Sequence, residues 1–76
     1  MMRYRFYQNG QAGVSGLYVI DMWSFNKSWK GAYMAFKPWG IRVPVQKEGL
    51  KKLIEITKEE YLKKTFGFYT PEKMVL

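Results

Sequence analysis

The sequence predicts an α+β fold, in which a four-stranded antiparallel sheet is followed by a C-terminal helix in the order ββββα. Through residues 1–45, apolar and polar side chains alternate with a period of two, which is typical of half-buried strands. After residue 46, apolar residues recur at intervals of three and four, which is typical of one helix face. We therefore predict one domain over residues 1–76, with the sheet in 1–45 and the helix in 46–66.

The predicted strands cover residues 2–7, 17–25, 32–37 and 41–45. The second run is apolar on both faces, which places it in the middle of the sheet with cover on each side. In the fourth run, Ile41, Val43 and Val45 are predicted to point inward and Arg42 outward. Pro44 cannot donate a backbone hydrogen bond, so this strand lies at an edge of the sheet or ends there.

The helical region 46–66 permits two interpretations, of which we favour the first. In a continuous helix, one apolar face is formed by Leu50, Leu53, Ile54 and Tyr61. Thr57 and Glu60, however, fit a capping box, which would break the region into two short helices near residue 57. The tail 67–76 contains a threonine–proline pair that suits the start of a further helical turn.

The composition excludes several kinds of chemistry. The chain contains neither cysteine nor histidine, so disulfides, thiolate metal sites, the commonest general base and the commonest zinc ligand are absent. Asp21 is the only acidic residue in positions 1–46. The stretch NGQAGVSG lacks the lysine and the strand-to-helix context of a phosphate-binding loop. We therefore predict no enzymatic activity, no metal and no cofactor.

The small size of the chain suggests self-association. A domain of 76 residues has a marginal core, and small domains without disulfides or metals often gain stability by oligomerising. We therefore expect a homodimer. The apolar helix face supplies its candidate interface, which comprises Leu50, Leu53, Ile54 and Tyr61.

Hydropathy gives an expectation about location. No apolar run approaches the roughly 20 residues that span a bilayer. The N-terminus MMRYRFYQNG lacks the apolar stretch of a signal peptide. We therefore expect an intracellular protein of the cytoplasm, nucleoid or nucleus (of the host cell, if the protein is viral), with no membrane partner.

Basic and aromatic residues are concentrated in the same half of the chain. Residues 1–46 carry six basic residues against one acid, and ten aromatic residues, more than one sheet–helix interface can hide. Unpaired bases stack on aromatic rings while lysine and arginine follow phosphates, so this mixture indicates single strands rather than duplexes. Arg3, Arg5 and Tyr7 share one strand face, and Trp29 and Trp39 lie in turns beside lysines. We predict that these five residues contact nucleic acid.

Residues 4–55 also contain an ordered set of short motifs: Val19-Ile20-Asp21-Met22, Lys30-Gly31, Lys37-Pro38, Gly40-Ile41-Arg42-Val43, and Leu50 with Leu53. Their order resembles that of the positive cofactor four family of coactivators, which bind single-stranded DNA. The resemblance implies a curved sheet, dimerisation through helices and sheet ends, and sequence-tolerant binding of single strands across the β-surface. The phosphate contacts that it implies are Lys27, Lys30, Lys37 and Arg42. The stacking residues that it implies are Trp23, Trp29, Tyr33 and Trp39.

We therefore predict a homodimer that binds single-stranded DNA or RNA with little sequence preference. It would support transcription, replication or recombination together with proteins of those processes. Compact chains of this kind also occur as phage or archaeal-virus proteins. Two other interpretations stay open. The first is a small viral or regulatory protein-interaction module that uses an exposed aromatic face, and the second, less favoured, is attachment to an anionic membrane surface.

Overall fold

The computed structural model describes residues 3–10 and 13–66, except for the side chains of Val14 and Trp39. Its strands and helices are, in chain order, β1 (Tyr4–Gln8), β2 (Leu17–Asn26), β3 (Ala32–Phe36), β4 (Arg42–Gln46), α1 (Lys47–Leu50), β5 (Ile54–Ile56) and α2 (Lys58–Thr65). Short 3-10 turns occupy Val14–Gly16, Lys27–Trp29 and Pro38–Gly40. Within the described ranges, no helix has the length and apolar character needed to cross a membrane. The predicted tail 67–76 lies outside the described residues.

The five strands form one antiparallel sheet in the order β4-β3-β2-β1-β5. The first four strands begin and end within two residues of the four predicted runs. β2 lies in the middle of the sheet, as its two apolar faces predicted. The α+β class and the C-terminal helix are confirmed, but the sheet has five strands rather than the predicted four.

The continuous helix favoured for residues 46–66 is wrong. α1 ends at Leu50, and the chain then forms the short strand β5 before α2 begins at Lys58. The side chain of Thr57 accepts a hydrogen bond of 3.1 Å from the backbone N–H of Glu60, which caps the N-terminus of α2. The alternative with a break near residue 57 is therefore the correct one, with a strand added before the break.

One face of the sheet, called here the helix-side face, packs against α2. Tyr61 of α2 is fully buried against Phe6, Leu17 and Val19. The rings of Phe6 and Tyr61 lie 5.1 Å apart between centroids with an interplanar angle of 51°, a favourable tilted arrangement. These contacts come from β1 and β2, so α2 covers the β1–β2–β5 half of this face.

The opposite face, called here the crossover-side face, is covered by the connection 47–53. This segment must cross the sheet because β4 and β5 lie at opposite edges. Leu50 and Leu53 pack on the second buried cluster, which consists of Tyr7, Ile20 and Ala35. Both faces of β2 are therefore covered, as predicted, and the chain buries aromatic rings on two faces of the sheet rather than at one sheet–helix interface.

β2 contains a wide bulge that reshapes the end of the sheet. Its pairing with β3 passes from Asp21↔Met34 to Asn26↔Ala32, so β2 advances five residues while β3 advances two. The Ser24 hydroxyl connects the two strands, donating to the Asp21 carbonyl at 2.6 Å and accepting from the Met34 N–H at 2.7 Å. Such bulges bend a strand and increase its twist. The side chain of Trp23, within the bulge, is 67% exposed.

The helix-side face stays open over β4. Arg42, Pro44 and Gln46 are exposed, whereas the alternate residues Val43 and Val45 are half-buried against the cluster beneath the crossover. The predictions of an outward Arg42 and inward valines are confirmed. The prediction of an inward Ile41 is wrong, because this side chain precedes the strand and is 54% exposed.

Candidate nucleic-acid interface

A tight loop between β2 and β3 presents Trp29 and Lys30. The Asn26 carboxamide oxygen accepts hydrogen bonds from the Ser28 backbone N–H at 2.9 Å and from its hydroxyl at 2.6 Å. Lys30 and Gly31 then adopt positive φ angles of 59° and 74°, and the Lys30 N–H bonds to the Lys27 carbonyl. Positive φ suits glycine and is uncommon for other residues. The loop therefore has a defined shape rather than being an open connection.

An open cleft of about 510 Å³ lies between this loop and the edge of the sheet. Its lining residues are Ser28, Trp29, Lys30, Met34, Pro44 and Gln46. Met34 pairs with Pro44 across β3 and β4, and Gln46 pairs with Ala32, so the three lining side chains from the sheet share the helix-side face. Met34, Pro44 and the partly exposed Trp29 supply apolar surface, and Lys30 supplies an exposed cation.

Arg42 lies on the same face, one row beyond the cleft. It pairs with Phe36, and its Cζ atom lies 5.6 Å from the centroid of that ring. Alternate residues on one strand are separated by about 7 Å, so Arg42 lies roughly that distance from Pro44. A cation–π contact uses none of the guanidinium N–H donors as hydrogen bonds, so they can bind a phosphate.

Arg3 and Trp23 form a second group on this face. The Arg3 guanidinium binds the Asp21 carboxylate through two hydrogen bonds of 3.1 Å, and its Cζ lies 5.0 Å from the Tyr4 ring and 5.2 Å from the Trp23 ring. The hydrogen bond to Asp21 raises the pKa of Arg3 above its ordinary value. Asp21 uses two of the five guanidinium donors, so three can meet a ligand. Asp21 pairs with Met34, which places this group beside the cleft.

Four predicted contact residues lie on the other, crossover-side face. Tyr7 is only 6% exposed beneath the crossover, so the predicted contact of this ring with nucleic acid is wrong. Tyr33 is half-buried with its ring 5.0 Å from that of Phe25, and Lys37 lies 5.4 Å above the ring of Tyr18. Arg5 approaches Glu55 at 4.0 Å. The predicted set therefore does not form one continuous surface.

Two predicted residues stand apart from these groups. Lys27 is exposed at the start of the turn Lys27–Trp29, in the same loop as Lys30. The backbone of Trp39 lies in the turn Pro38–Gly40, but its side chain is outside the described part of the structure. The helix-side face thus brings together Arg3, Trp23, Trp29, Lys30 and Arg42.

Sequence reasoning missed the sheet residues that complete this face. The predicted contacts include neither Met34 and Phe36 of β3 nor Pro44 and Gln46 of β4. The alternation of β4 held the missing signal, because Pro44 and Gln46 have the same parity as the outward Arg42.

A larger groove of about 900 Å³ runs between β1, β5 and the start of α2. Arg3, Arg5 and Lys58 line it, but Glu55, Glu59 and Glu60 line it as well. The three carboxylates offset the three cations, so this groove has no net positive charge and is a poor site for a polyanion despite its size.

The four residues predicted for a dimer interface are used differently. Tyr61 is fully buried within its own chain, so its assignment to an interface is wrong. Leu50 and Leu53 pack on the crossover-side face of their own sheet, which removes them from a shared helix face. Ile54 is 54% exposed on the edge strand β5 and is the member of this set that can still meet a partner.

Comparison of the chain with protein-family models, with curated proteins and with solved structures finds no match in any of the three.

Proposed function

We propose that this protein binds single-stranded DNA or RNA with little sequence preference, acts as a homodimer, and supports transcription, replication or recombination together with proteins of those processes. The strand lies on the open part of the helix-side face. The observation that carries the proposal is the cleft, in which a partly exposed tryptophan, Trp29, stands beside an exposed cation, Lys30, one row from Arg42.

The chemistry of this face suits unpaired nucleotides. Aromatic rings stack on the flat side of any base, which contributes about 1–3 kcal/mol per base without selecting a sequence. Lys30, Arg42 and Arg3 supply positive charge for phosphates. Arg3 is the member of this group that a carboxylate partly neutralises, through its contact with Asp21.

Charge distribution favours the same face. In the described part of the chain, the glutamates lie in α1, β5 and α2, at positions 48, 55, 59 and 60. The cleft and the Arg42 row contain none of them. A polyanion is therefore attracted more strongly to the open part of the helix-side face than to the start of α2, where glutamates offset the basic residues.

Salt-dependent binding tests the proposal. We expect a labelled dT oligonucleotide to bind in fluorescence anisotropy, more tightly than a duplex of equal length, with affinity falling as salt increases. For single strands the logarithmic slope is roughly −0.7 for each phosphate contact. Lys30→Gln and Arg42→Gln should each flatten the slope by about 0.7.

Lys63→Gln is the matched control, because Lys63 is exposed in the last turn of α2 and the substitution changes the net charge equally. It should leave the slope nearly unchanged. Absence of binding at low salt, or equal flattening by all three variants, would refute the proposed function.

The protein-interaction alternative has one observation in its favour. Trp23, in the bulge of β2, presents a large apolar surface that is 67% exposed, and tryptophan is common at the centres of protein interfaces. A protein partner of this surface would bind with little dependence on salt and would not be displaced by oligonucleotides. The salt series with an oligonucleotide competitor therefore separates the two functions.

A further inference from the structure

We propose that the cleft lined by Ser28, Trp29, Lys30, Met34, Pro44 and Gln46 accepts one unstacked nucleobase of the bound strand. The remaining nucleotides would contribute mainly through their phosphates. This inference rests on the proposed function and adds to it, because it divides the binding free energy between one base and several phosphates.

The cleft has the two kinds of surface that a single base requires. Met34 is half-buried, Pro44 is exposed, and the Trp29 side chain is 41% exposed, so all three offer apolar contact to a flat ring. Its volume of about 510 Å³ falls within the range of roughly 300–1,000 Å³ that is usual for small-ligand sites. The row beyond, by contrast, has the Arg42 guanidinium lying over Phe36, which covers a face of that ring.

Polar groups at the rim of the cleft can hydrogen-bond to the edge of a base without selecting one kind of base. The Ser28 hydroxyl donates to Asn26, so its lone pairs are left to accept from an amino group. The exposed Gln46 amide both donates and accepts. Lys30 provides a positive charge for the phosphate of the same nucleotide. Such adaptable partners permit modest base preferences but not strict sequence recognition.

The walls of the cleft are held by hydrogen bonds within the chain. Asn26 caps the turn Lys27–Trp29, and the backbone bond from Lys30 to Lys27 closes it. The opposite wall is sheet backbone, in which Met34 is also fixed by the bond from its N–H to Ser24. A preformed cleft loses less conformational entropy on binding than a flexible loop would.

The spacing along the sheet sets the length of strand that is engaged. Two steps of about 7 Å separate the Gln46 row from the Arg42 row, or roughly 14 Å in total. A strand with the spacing of stacked DNA advances about 3.4 Å per nucleotide, so at most about four nucleotides span this distance, and fewer do so where a base is unstacked. Hexanucleotides are therefore long enough to fill the face once.

Abasic hexanucleotides test the inference at constant phosphate number. The series consists of an all-abasic hexamer, hexamers with one, two or three thymines, and intact dT6. We expect the first thymine to increase affinity by about 5- to 150-fold, as one stacked base does, and each further thymine to add less than about 3-fold. An even rise with every base, or no dependence on bases, would overturn the cleft while leaving the proposed function in place. Failure of intact dT6 to bind would overturn both.

Two tryptophan variants then locate the effect. Trp29→Leu should abolish the gain from the first thymine while changing binding of the all-abasic hexamer little. Trp23→Leu removes the other described exposed tryptophan, which contacts Arg3 outside the cleft, and should retain the gain. Circular dichroism and thermal unfolding verify that both variants fold. Persistence of the gain in folded Trp29→Leu would contradict the assignment of the base to this cleft.

Discussion

Tyr61 shows how one buried side chain makes stability depend on pH. It lies between α2 and the sheet, and burial raises the pKa of its phenol to about 12. An exposed tyrosine titrates near about 10, so the folded chain holds this proton more tightly than the unfolded chain does. The resulting stabilisation is complete below about pH 10 and is lost as the pH rises through about 12.

We therefore expect Tyr61→Phe to weaken the alkaline loss of stability, because phenylalanine has no proton to lose. Urea unfolding at pH 8 and pH 11.5 measures this loss as a change in the free energy of unfolding. Subtracting the change in the variant from that in wild type cancels the contribution of other titrating groups. Tyr33→Phe, on the crossover-side face, controls for removal of a hydroxyl. Identical pH dependence in wild type and Tyr61→Phe would show that the buried phenol is not responsible.

Single residues also show what sequence reasoning can reach. Alternation alone placed Val43 and Val45 inward and Arg42 outward, because a strand's period of two fixes which side chains share a face. It placed Tyr7 correctly beside Arg5 but could not predict its burial. The cover over Tyr7 comes from Leu50 and Leu53, more than 40 residues later in the chain. A contact of that kind depends on the path of the chain rather than on the local pattern.

Among the elements, the bulge of β2 depends on one hydroxyl. Ser24 bonds to the Asp21 carbonyl and the Met34 N–H, where the regular ladder between β2 and β3 is interrupted. We expect Ser24→Ala to destabilise the protein by about 1–3 kcal/mol, because both partly buried backbone groups lose a partner. Urea or thermal unfolding measures this change.

Ser28→Ala provides a matched control within the same hairpin. Among the contacts seen, the Ser28 hydroxyl makes one hydrogen bond, to the Asn26 side chain, and that bond is exposed to solvent. Its loss should therefore cost about 0.5 kcal/mol or less. Equal destabilisation by the two substitutions would mean that Ser24 has no special role in the bulge.

The elements predicted least well are those whose residue spacing fits two kinds of secondary structure. The capping box at Thr57 depends on a local hydrogen bond between a side chain and the backbone, and it correctly marked the start of α2. β5 was missed because the spacing of Leu50, Leu53 and Ile54 also fits a helix, and three residues are too few to show a period of two. Pairing with β1 makes Ile54–Ile56 a strand, and this partner is distant in sequence.

At the scale of the whole molecule, the two edges of the sheet differ in their capacity to pair with another strand. The Lys37 N–H donates to the Ile41 carbonyl, and the Lys47 N–H donates to the Gly31 carbonyl. The backbone N–H and C=O groups of odd-numbered residues in β4 therefore point toward β3. The backbone nitrogen of Pro44 therefore points away from β3, toward the open edge of the sheet. Because it carries no hydrogen, it hinders the addition of another strand there. The β5 edge has no proline and exposes Ile54. If two copies associate through a sheet edge, β5 is the better one.

Substitution at each edge tests the proposed homodimer. Ile54 on β5 and Ile41 beside β4 are equally exposed at 54%, so Ile54→Lys and Ile41→Lys change similar surface and equal charge. We expect wild type and Ile41→Lys to sediment as dimers at micromolar concentration and Ile54→Lys to sediment as a monomer, because a lysine in a paired edge would be desolvated and repelled by its symmetry mate. A monomeric wild type would refute the homodimer. Dissociation by Ile41→Lys alone would place the interface at β4, where Pro44 would then have to be accommodated.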